Sequence, residues 1–280
     1  MVNINGLIIE SNKASLSIEN RGLALGDAVF ETIKVNERPL FWESHYFRLM
    51  SSMRILRMEI PMHFTLEFLE KEIMDLLKAI NLTSKSYRVK LIVYRSGGGL
   101  YTPNSCDIEY IISAKPLAND IYLLNESKYE IELFKDYFVA PNLLSNIKTN
   151  NKVLNVIGSI FAQENNYQNC LILNTNMNVI EALNGNVFLL KDNIVKTPPL
   201  SDGCLKGILR EQVIKIISDL DHYTIKEVTI SPFELQKADA IFITNVIQGI
   251  ICVTKYRKKT YSDRLALELI NLLNKKIRIS

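Results

Sequence analysis

Lys148 is one residue of this sequence whose side chain could act as a nucleophile towards an aldehyde. It follows the apolar pair Leu143 and Leu144 and is surrounded by asparagines in the stretch SNIKTNNK. Small amide side chains suit a polar pocket, and a lysine amine that is desolvated near other cations has a lowered pKa and becomes nucleophilic. Most lysines, however, are solvated surface charges. The local sequence therefore leaves both a surface lysine and a reactive lysine open.

Glu181 is a second candidate, because it is the only acid in the otherwise neutral stretch VIEALNGNVF. A partly buried glutamate needs a partner for its charge. The ordinary partner would be an arginine or a backbone N–H group. The protonated nitrogen of a bound heterocycle is the alternative that would make Glu181 functional.

The stretch from Thr197 to Ile208 could bind an anion, because it is predicted to leave a strand, pass through a loop and enter a helix. The backbone N–H groups at a helix start have no intrahelical partners, and the helix dipole favours an anion there. Gly207 would let a phosphate approach the backbone closely. Many helices begin with glycine, so an ordinary helix start is the alternative.

Three more polar residues stand where a ligand could contact them. Thr244 and Asn245 come at the end of an apolar strand. A hydroxyl and an amide at this position either serve a ligand or close a turn. Arg48 lies on a predicted helix, largely away from its apolar stripe, so it is either a surface arginine or a ligand contact.

The elements that position these residues are predicted from the spacing of apolar residues and from capping signals. Short strands and turns fill the first 40 residues, with a hairpin around Asn5-Gly6. Thr65 can cap one helix, and Ser231-Pro232-Phe233-Glu234 is a capping box that starts another. Helices are predicted at 43–58, 65–80, 155–165, 207–220, from 231 and at 262–275, and strands at 88–94, 108–114, 130–139, 170–173, 187–190, 194–197 and 241–244.

Strands and helices are mixed without a strict βαβ rhythm, so the predicted fold class is mixed α/β (α+β) in two domains. Weak periodicity after residue 114, together with Pro116, indicates a linker. We place an N-terminal α/β domain at 1–116, the linker at 117–125 and a C-terminal domain at 126–280.

Composition excludes several other classes of protein. The 280 residues are 48% hydrophobic and 22% charged, with a formal net charge of +3. This is typical of a soluble globular protein and offers no basic stripe for nucleic acid. The four cysteines (Cys106, Cys170, Cys204 and Cys252) stand far apart, so reduced, mostly buried thiols are expected rather than a metal site. With no long apolar segment and no basic leader, the sequence predicts no membrane span and a cytoplasmic location.

The order of the candidate residues resembles the class IV aminotransferases, a family of enzymes that use pyridoxal 5′-phosphate (PLP) and have fold type IV. The resemblance spans residues 21 to about 253. The matching positions are Arg21 to Thr32, His45 with Arg48-Leu49 and Ser52, Lys148 with Asn151, Glu181 with Asn186 and Phe188, Thr197-Pro198 with Leu205, Gly207-Ile208 and Arg210, and Thr244-Asn245 with Gly249.

The resemblance implies a role for each candidate. Lys148 would hold PLP as a Schiff base and shuttle the proton at the substrate carbon, while Glu181 would keep the pyridine nitrogen protonated. It also implies a smaller N-terminal α/β domain and a larger, barrel-like C-terminal domain, with the site in the cleft between them, in a homodimer. The remaining cofactor contacts would be Arg48, Asn186, Gly207, Ile208, Thr244 and Asn245.

Departures from the pattern bear on the substrate. In the pattern of the branched-chain enzymes, a tyrosine stands at the position of Val153. In the pattern of the D-amino-acid aminotransferases, a tyrosine stands at the position of Phe30. The glycine-rich loop after Arg95 resembles that of the 4-amino-4-deoxychorismate lyases, although a lyase arginine is replaced by Gly99 or Leu100. Leu209 replaces a threonine that many members carry. Four residues are expected to contact the substrate: Phe30, Thr32, Arg95 and Tyr101.

Three functions remain open from the sequence. The first is the lyase reaction, in which pyruvate is eliminated to leave 4-aminobenzoate, and we prefer it slightly. The second is amino transfer from a branched-chain or D-amino acid to a 2-oxo acid. The third is a protein that binds PLP without catalysis, against which the presence of both Lys148 and Glu181 argues. The expected ligands are PLP and a small amino or carboxylate substrate, without metal, nucleic acid or membrane.

Overall fold

The structure is a computed structural model that describes residues 1–80 and 84–279. The chain divides into two compact units: a first unit, Met1–Asp120 with Ile147–Asn151, and a second unit, Ile121–Asn146 with Lys152–Ser280. The predicted domains 1–116 and 126–280 stay a prediction. These units differ from them by placing the Lys148 segment in the first unit.

A six-stranded sheet forms the frame of the first unit, in the order β2-β1-β6-β5-β3-β4. Asn5 and Gly6 both have positive φ, at 53° and 88°, which suits the predicted tight hairpin between β1 and β2. The elements of this unit are β1 (Val2–Ile4), β2 (Leu7–Ile9), α1 (Arg21–Ala24), β3 (Ala28–Asn36), β4 (Arg38–Pro39), α2 (Trp42–Ile55), α3 (Leu66–Ala79), β5 (Ser86–Arg95) and β6 (Ile108–Leu117).

Helices α2 and α3 cover one face of this sheet because both present an apolar stripe to it. Along β3, Val29, Ile33 and Val35 point to that face and join one buried core with residues of both helices. Burial of this kind contributes about 25 cal/mol per Å² of apolar surface. Thr65 caps α3 as predicted, since its side chain accepts a hydrogen bond from the Phe68 N–H group.

The segment Ile147–Asn151 extends the same sheet beside β3. The Phe30 N–H group donates to the Lys148 carbonyl at 2.9 Å, and the Asn150 N–H group donates to the Ala28 carbonyl at 3.0 Å. Val29 and Thr149 form an antiparallel bridge. The residues around Lys148 therefore continue a sheet whose other strands lie far away in the sequence.

Two five-stranded sheets form the second unit, in the orders β12-β11-β10-β13-β14 and β16-β15-β7-β8-β9. Their apolar faces share one buried core that includes Leu171, Val187 and Ile241. The elements are β7 (Glu130–Val139), α4 (Val153–Glu164), β8 (Asn169–Asn174), β9 (Val179–Ala182), β10 (Asn186–Lys191), β11 (Ile194–Thr197), α5 (Ile208–Ser218), β12 (Thr224–Glu227), α6 (Pro232–Lys237), β13 (Ala240–Asn245), β14 (Gly249–Cys252), β15 (Lys255–Tyr256), β16 (Lys259–Thr260) and α7 (Arg264–Ile279).

Several predicted boundaries differ from the structure. Strand β6 runs to Leu117, because it pairs with β5 as far as Ser86, so the chain is still in the sheet at Pro116. The capping box at Ser231 is present and starts α6. Short elements without a strong pattern were not predicted: α1, β9, β12, β14, β15 and β16. Three cysteines are buried as expected, whereas Cys106 is exposed.

Among the residues that the structure describes, no helix is long and apolar enough to cross a membrane. The cytoplasmic location stays a prediction.

Candidate active site

Lys148 lies on the segment that pairs with β3, and its side chain lies over the Phe30 ring. Its Nζ atom is 4.5 Å from the centroid of the Phe30 ring. A second ammonium group, that of Lys90 on β5, is 4.8 Å from the same centroid. A cation over an aromatic face is attracted by the ring quadrupole. Phe30 thus lies beside the candidate nucleophile, and its role as a substrate contact stays a prediction.

On the opposite face of β3, the carboxylate of Glu31 binds two side chains of α2. Arg48 donates from Nε to Oε1 at 2.8 Å and from Nη2 to Oε2 at 2.6 Å. His45 Nδ1 lies 2.6 Å from Oε2. The three side chains are almost fully buried. Arg48 is therefore held in one orientation by a bidentate pair, the strongest geometry for an arginine and a carboxylate.

This cluster also fixes the charge state of its members. Burial alone would raise the pKa of Glu31, but the positive charge of Arg48 and the hydrogen bonds from Arg48 and His45 outweigh it and lower the pKa to about 2. Burial lowers the pKa of His45, against the opposing effect of Glu31. The neutral imidazole then donates its Nδ1 proton to Glu31, and its buried Nε2 atom has no hydrogen-bond partner among the described residues.

In the second unit, Glu181 and Asn186 both bind the backbone of Leu205, in the loop before α5. Glu181 Oε2 accepts a hydrogen bond from the Leu205 N–H group at 2.9 Å. Asn186 Nδ2 donates to the Leu205 carbonyl at 2.8 Å. The two side chains come from β9 and β10 and hold one residue through both of its backbone polar groups. A carboxylate and an amide that the sequence separates are thereby placed at the same loop.

Gly207 precedes the first residue of α5, Ile208, and its lack of a side chain is a requirement of packing. A Cβ atom here would overlap Asn186 Oδ1. No side chain among the described residues caps α5. The first N–H groups of the helix, beginning at Ile208, have no such side-chain cap, and their role in binding an anion stays a prediction. Leu209 is buried and supplies no hydroxyl.

Thr244 lies on β13 directly opposite Asn186 of β10. Its Oγ1 atom is buried and has no hydrogen-bond partner among the described residues. A buried hydroxyl without a partner costs free energy, so this atom indicates a place for a ligand oxygen. Asn245 behaves differently, because its Oδ1 atom accepts hydrogen bonds from the Ile247 and Gln248 N–H groups and closes a turn.

The remaining substrate candidates are less favourable. Arg95 is buried and donates to Asp27 and to the carbonyls of Leu56 and Arg57, so its guanidinium holds three parts of the chain together. Its role as a substrate contact stays a prediction. Tyr101 is 91% exposed. Thr32 is buried on β3, opposite Lys90.

These residues fit PLP in chemical type. The first unit supplies Lys148 for the aldehyde and Arg48 for a phosphate. The second unit supplies an acid, Glu181, for a pyridine nitrogen, and for a phosphate a helix start and the unpartnered Thr244 hydroxyl.

Sequence reasoning matched Glu31, His45 and Leu205 to the family pattern but did not predict their contacts with Arg48 and Glu181. The sequence did indicate that Glu31 would be buried. Side chains alternate between the two faces of a strand, so Glu31 lies on the same buried face as Val29, Ile33 and Val35.

Sequence comparison places these observations in a family. The family described as amino-transferase class IV matches residues 28–256. The chain is 26% identical over 279 residues to a Methanocaldococcus jannaschii protein assigned as a branched-chain-amino-acid aminotransferase, covering 98% of this chain and 94% of that protein. It is 27% identical to the Escherichia coli K12 branched-chain-amino-acid aminotransferase (88% and 81% covered) and 24% to a Staphylococcus epidermidis D-alanine aminotransferase (93% and 90%).

Solved structures have the same fold. A branched-chain aminotransferase from Thermoproteus uzoniensis, with norvaline, superposes with a TM-score of 0.89 at 22% identity, covering 99% of this chain and 94% of that one. A Legionella pneumophila protein assigned as a 4-amino-4-deoxychorismate lyase superposes with a TM-score of 0.82 at 25% identity, covering 95% and 96%. The predicted mixed α/β fold of type IV is confirmed. The match over most of the chain also confirms an enzyme and its predicted cofactor, PLP: this protein belongs to the class IV aminotransferase family.

Proposed function

We propose that the chain is an amino-acid aminotransferase that moves an amino group from a branched-chain or D-amino acid to a 2-oxo acid. The position of Lys148, whose Nζ atom lies 4.5 Å from the Phe30 ring, is the observation that carries the proposal. Relatives named as branched-chain or D-alanine aminotransferases support it over the lyase reaction that the sequence analysis preferred. The preference for the lyase is therefore reversed.

PLP, when bound, supplies an electron sink that makes the proton at the substrate α-carbon acidic. In our proposal Lys148 binds the cofactor and then moves that proton as general base and acid. Arg48, Gly207, Ile208 and Thr244 hold the phosphate, with Asn245 as a backbone contact. Glu181 keeps a negative charge at the ring nitrogen, and Asn186 fixes the loop that carries the helix start.

The cofactor assignment is tested on the purified protein. The wild type is expected to be yellow. Borohydride reduction should bleach this colour and leave the pyridoxyl group covalently attached to Lys148, as found by peptide mass. Lys148→Ala should lose the attachment, whereas the neighbouring Lys152→Ala should keep it. A wild type that stays colourless after addition of PLP would refute the role of Lys148.

The reaction is tested by assays run side by side. Amino transfer from leucine, glutamate and D-alanine to a 2-oxo acid is compared with release of pyruvate and 4-aminobenzoate from aminodeoxychorismate. Amino transfer is expected to be the faster activity. Release of 4-aminobenzoate without amino transfer would overturn the proposal.

The lyase reaction is the second candidate, favoured by the 25% identity to the Legionella protein. The glycine-rich loop after Arg95, which suggested the lyase reaction, supports that reaction less strongly than the sequence alone implied. Arg21 binds the carbonyls of Leu100 and Tyr101 in that loop, so the loop is fixed to the first unit by backbone contacts.

We further propose a homodimer in which α4 contributes to the interface. Val153, Val156 and Ile160 lie along one side of this helix and are 70, 57 and 50% exposed. Their spacing makes a single apolar stripe. Leu143 and Leu144 of the same unit are also exposed. A second copy of the chain is the occupant that fits a face with so little charge.

A further inference from the structure

The loop between β11 and α5, residues 198–207, has many of its carbonyl groups bound by side chains from other elements. The carbonyls that accept a side-chain hydrogen bond are those of Pro198, Leu200, Asp202, Cys204 and Leu205. The donors are Arg210, Asn146, Asn174 and Asn186. Backbone groups of an exposed loop commonly bond to water instead. Here the path of the loop is specified by residues elsewhere in the second unit.

Asn146 binds this loop at three points. Its amide uses both N–H donors, since Nδ2 donates to the Leu200 carbonyl at 2.9 Å and to the Cys204 carbonyl at 2.7 Å. Its backbone carbonyl accepts a hydrogen bond from the Lys206 N–H group at 3.3 Å. One residue therefore holds the loop from Leu200 to the residue that precedes Gly207.

Asn174, on β8, holds the middle of the same loop. It is fully buried, and its Nδ2 atom donates to the Asp202 carbonyl at 3.0 Å. Its Oδ1 atom accepts hydrogen bonds from the Asn176 and Asn178 N–H groups, both at 3.0 Å. Because the turn after β8 fixes the orientation of this amide, the amide in turn fixes the position of Asp202.

These contacts bear on the anion site because the loop ends at Gly207, directly before the first N–H groups of α5. An anion is bound well by backbone N–H groups that already converge on it, whereas a loop that must first be ordered weakens binding by the entropy of ordering. The asparagine contacts order the loop when the protein folds. The Leu205 N–H group, which binds Glu181, lies between two residues that Asn146 holds.

We propose that Asn146 and Asn174 are positioning residues for the cofactor phosphate, because they hold the 198–207 loop in its binding form before the cofactor arrives. The inference rests on the phosphate position proposed above, at the start of α5, and it holds for either reaction. Both asparagines act through the loop carbonyls that they bind, and the phosphate itself is held by other groups.

The test titrates the full-length apo protein with PLP and with pyridoxal, which lacks the phosphate. Asn146→Ala removes two hydrogen bonds to the loop, so it should weaken PLP binding about tenfold and change pyridoxal binding less than about twofold. Asn174→Ala should have the same selective effect. Asn146→Asp keeps the size of the side chain but turns a carboxylate towards two carbonyls, so it should weaken PLP binding at least as much as Asn146→Ala.

Asn125→Ala is the matched control. The amide of Asn125 also binds a distant part of the backbone, since it donates to the Cys252 carbonyl and accepts from the Cys252 N–H group. Cys252 lies outside the 198–207 loop. This variant should therefore lose stability in urea unfolding and keep the wild-type affinities for PLP and pyridoxal.

The ratio of the two affinities separates the outcomes. Equal weakening of PLP and pyridoxal in Asn146→Ala would mean that the residue acts on Lys148, two positions later, and would overturn the inference. An unchanged PLP affinity in the asparagine variants, in a protein that prefers PLP to pyridoxal, would also overturn it and leave the proposed phosphate position intact. A wild type that binds pyridoxal as tightly as PLP would refute the phosphate position itself.

Discussion

Replacement of Glu31 by glutamine removes the charge that holds Arg48 and His45. The lowered pKa of Glu31, about 2 against an ordinary 4.5, corresponds to roughly 3 kcal/mol of folding free energy, since one pKa unit is about 1.4 kcal/mol. Loss of one partner from a buried pair costs a similar amount, about 3–5 kcal/mol. Glu31→Gln should therefore lower the free energy of unfolding in urea at pH 7 by about 3 kcal/mol. The exposed Glu59→Gln should change it by less than about 0.5 kcal/mol.

The pH dependence supplies a second readout of the same interaction. Because the folded-state pKa of Glu31 lies below the unfolded value, the stabilisation is complete above about pH 4.5 and is lost as the pH falls towards 2. The wild type should lose this increment in acid, whereas Glu31→Gln has already lost it at pH 7. The variant should also bind PLP more weakly, by titration of the apo protein, because Arg48 is no longer fixed. A variant as stable as the wild type at pH 7 would refute the reasoning.

Three more predictions follow from the second unit. Thr244→Val should stabilise the apo protein by about 1 kcal/mol, because it removes a buried hydroxyl without a partner among the described residues, yet it should weaken PLP binding about tenfold. The control is Thr197→Val, which removes a hydroxyl that donates a hydrogen bond. This variant should lose about 1 kcal/mol in urea unfolding. Gly207→Ala should lower the free energy of unfolding by about 2 kcal/mol, because the added methyl group overpacks against Asn186. The control Gly98→Ala places its methyl group against the flexible end of a side chain and should cost less. Equal melting temperatures of the two variants would contradict this prediction. Ile160→Glu should convert the dimer to a monomer in light scattering, and a monomeric wild type would contradict the interface.

The sequence predicted the elements with strong periodicity well and the contacts between distant elements poorly. Strand β7 was predicted with its observed bounds, because its apolar residues recur at short spacing within one segment. The pairing of Thr149 with Val29 was not predicted, since nothing in either segment specifies the other. The roles proposed for Lys148 and its companions rest on the order of these residues along the chain. Physical signals near Lys148 itself did not separate it from a surface lysine.

Arg48 shows why side-chain geometry was the harder part. Helical periodicity correctly placed it away from the apolar stripe, and this favoured a solvated arginine. Its burial comes from Glu31, an acid on the buried face of β3. Glu31 alternates along β3 in phase with Val29 and Ile33, and this indicated a buried charge. The partner of that charge depends on how α2 packs against the sheet, which the periodicity of the sequence does not determine.

The addition of Ile147–Asn151 to the edge of β3 has a consequence for folding. During synthesis, the N-terminal sheet is complete long before this segment leaves the ribosome, so the backbone groups of Ala28 and Phe30 are exposed as a free strand edge. Contacts this distant in sequence form slowly, because a long loop must close first. The half-made chain therefore carries an aggregation-prone edge at the very place where the lysine will later be positioned. Within the first unit, a nascent chain should make this pairing last.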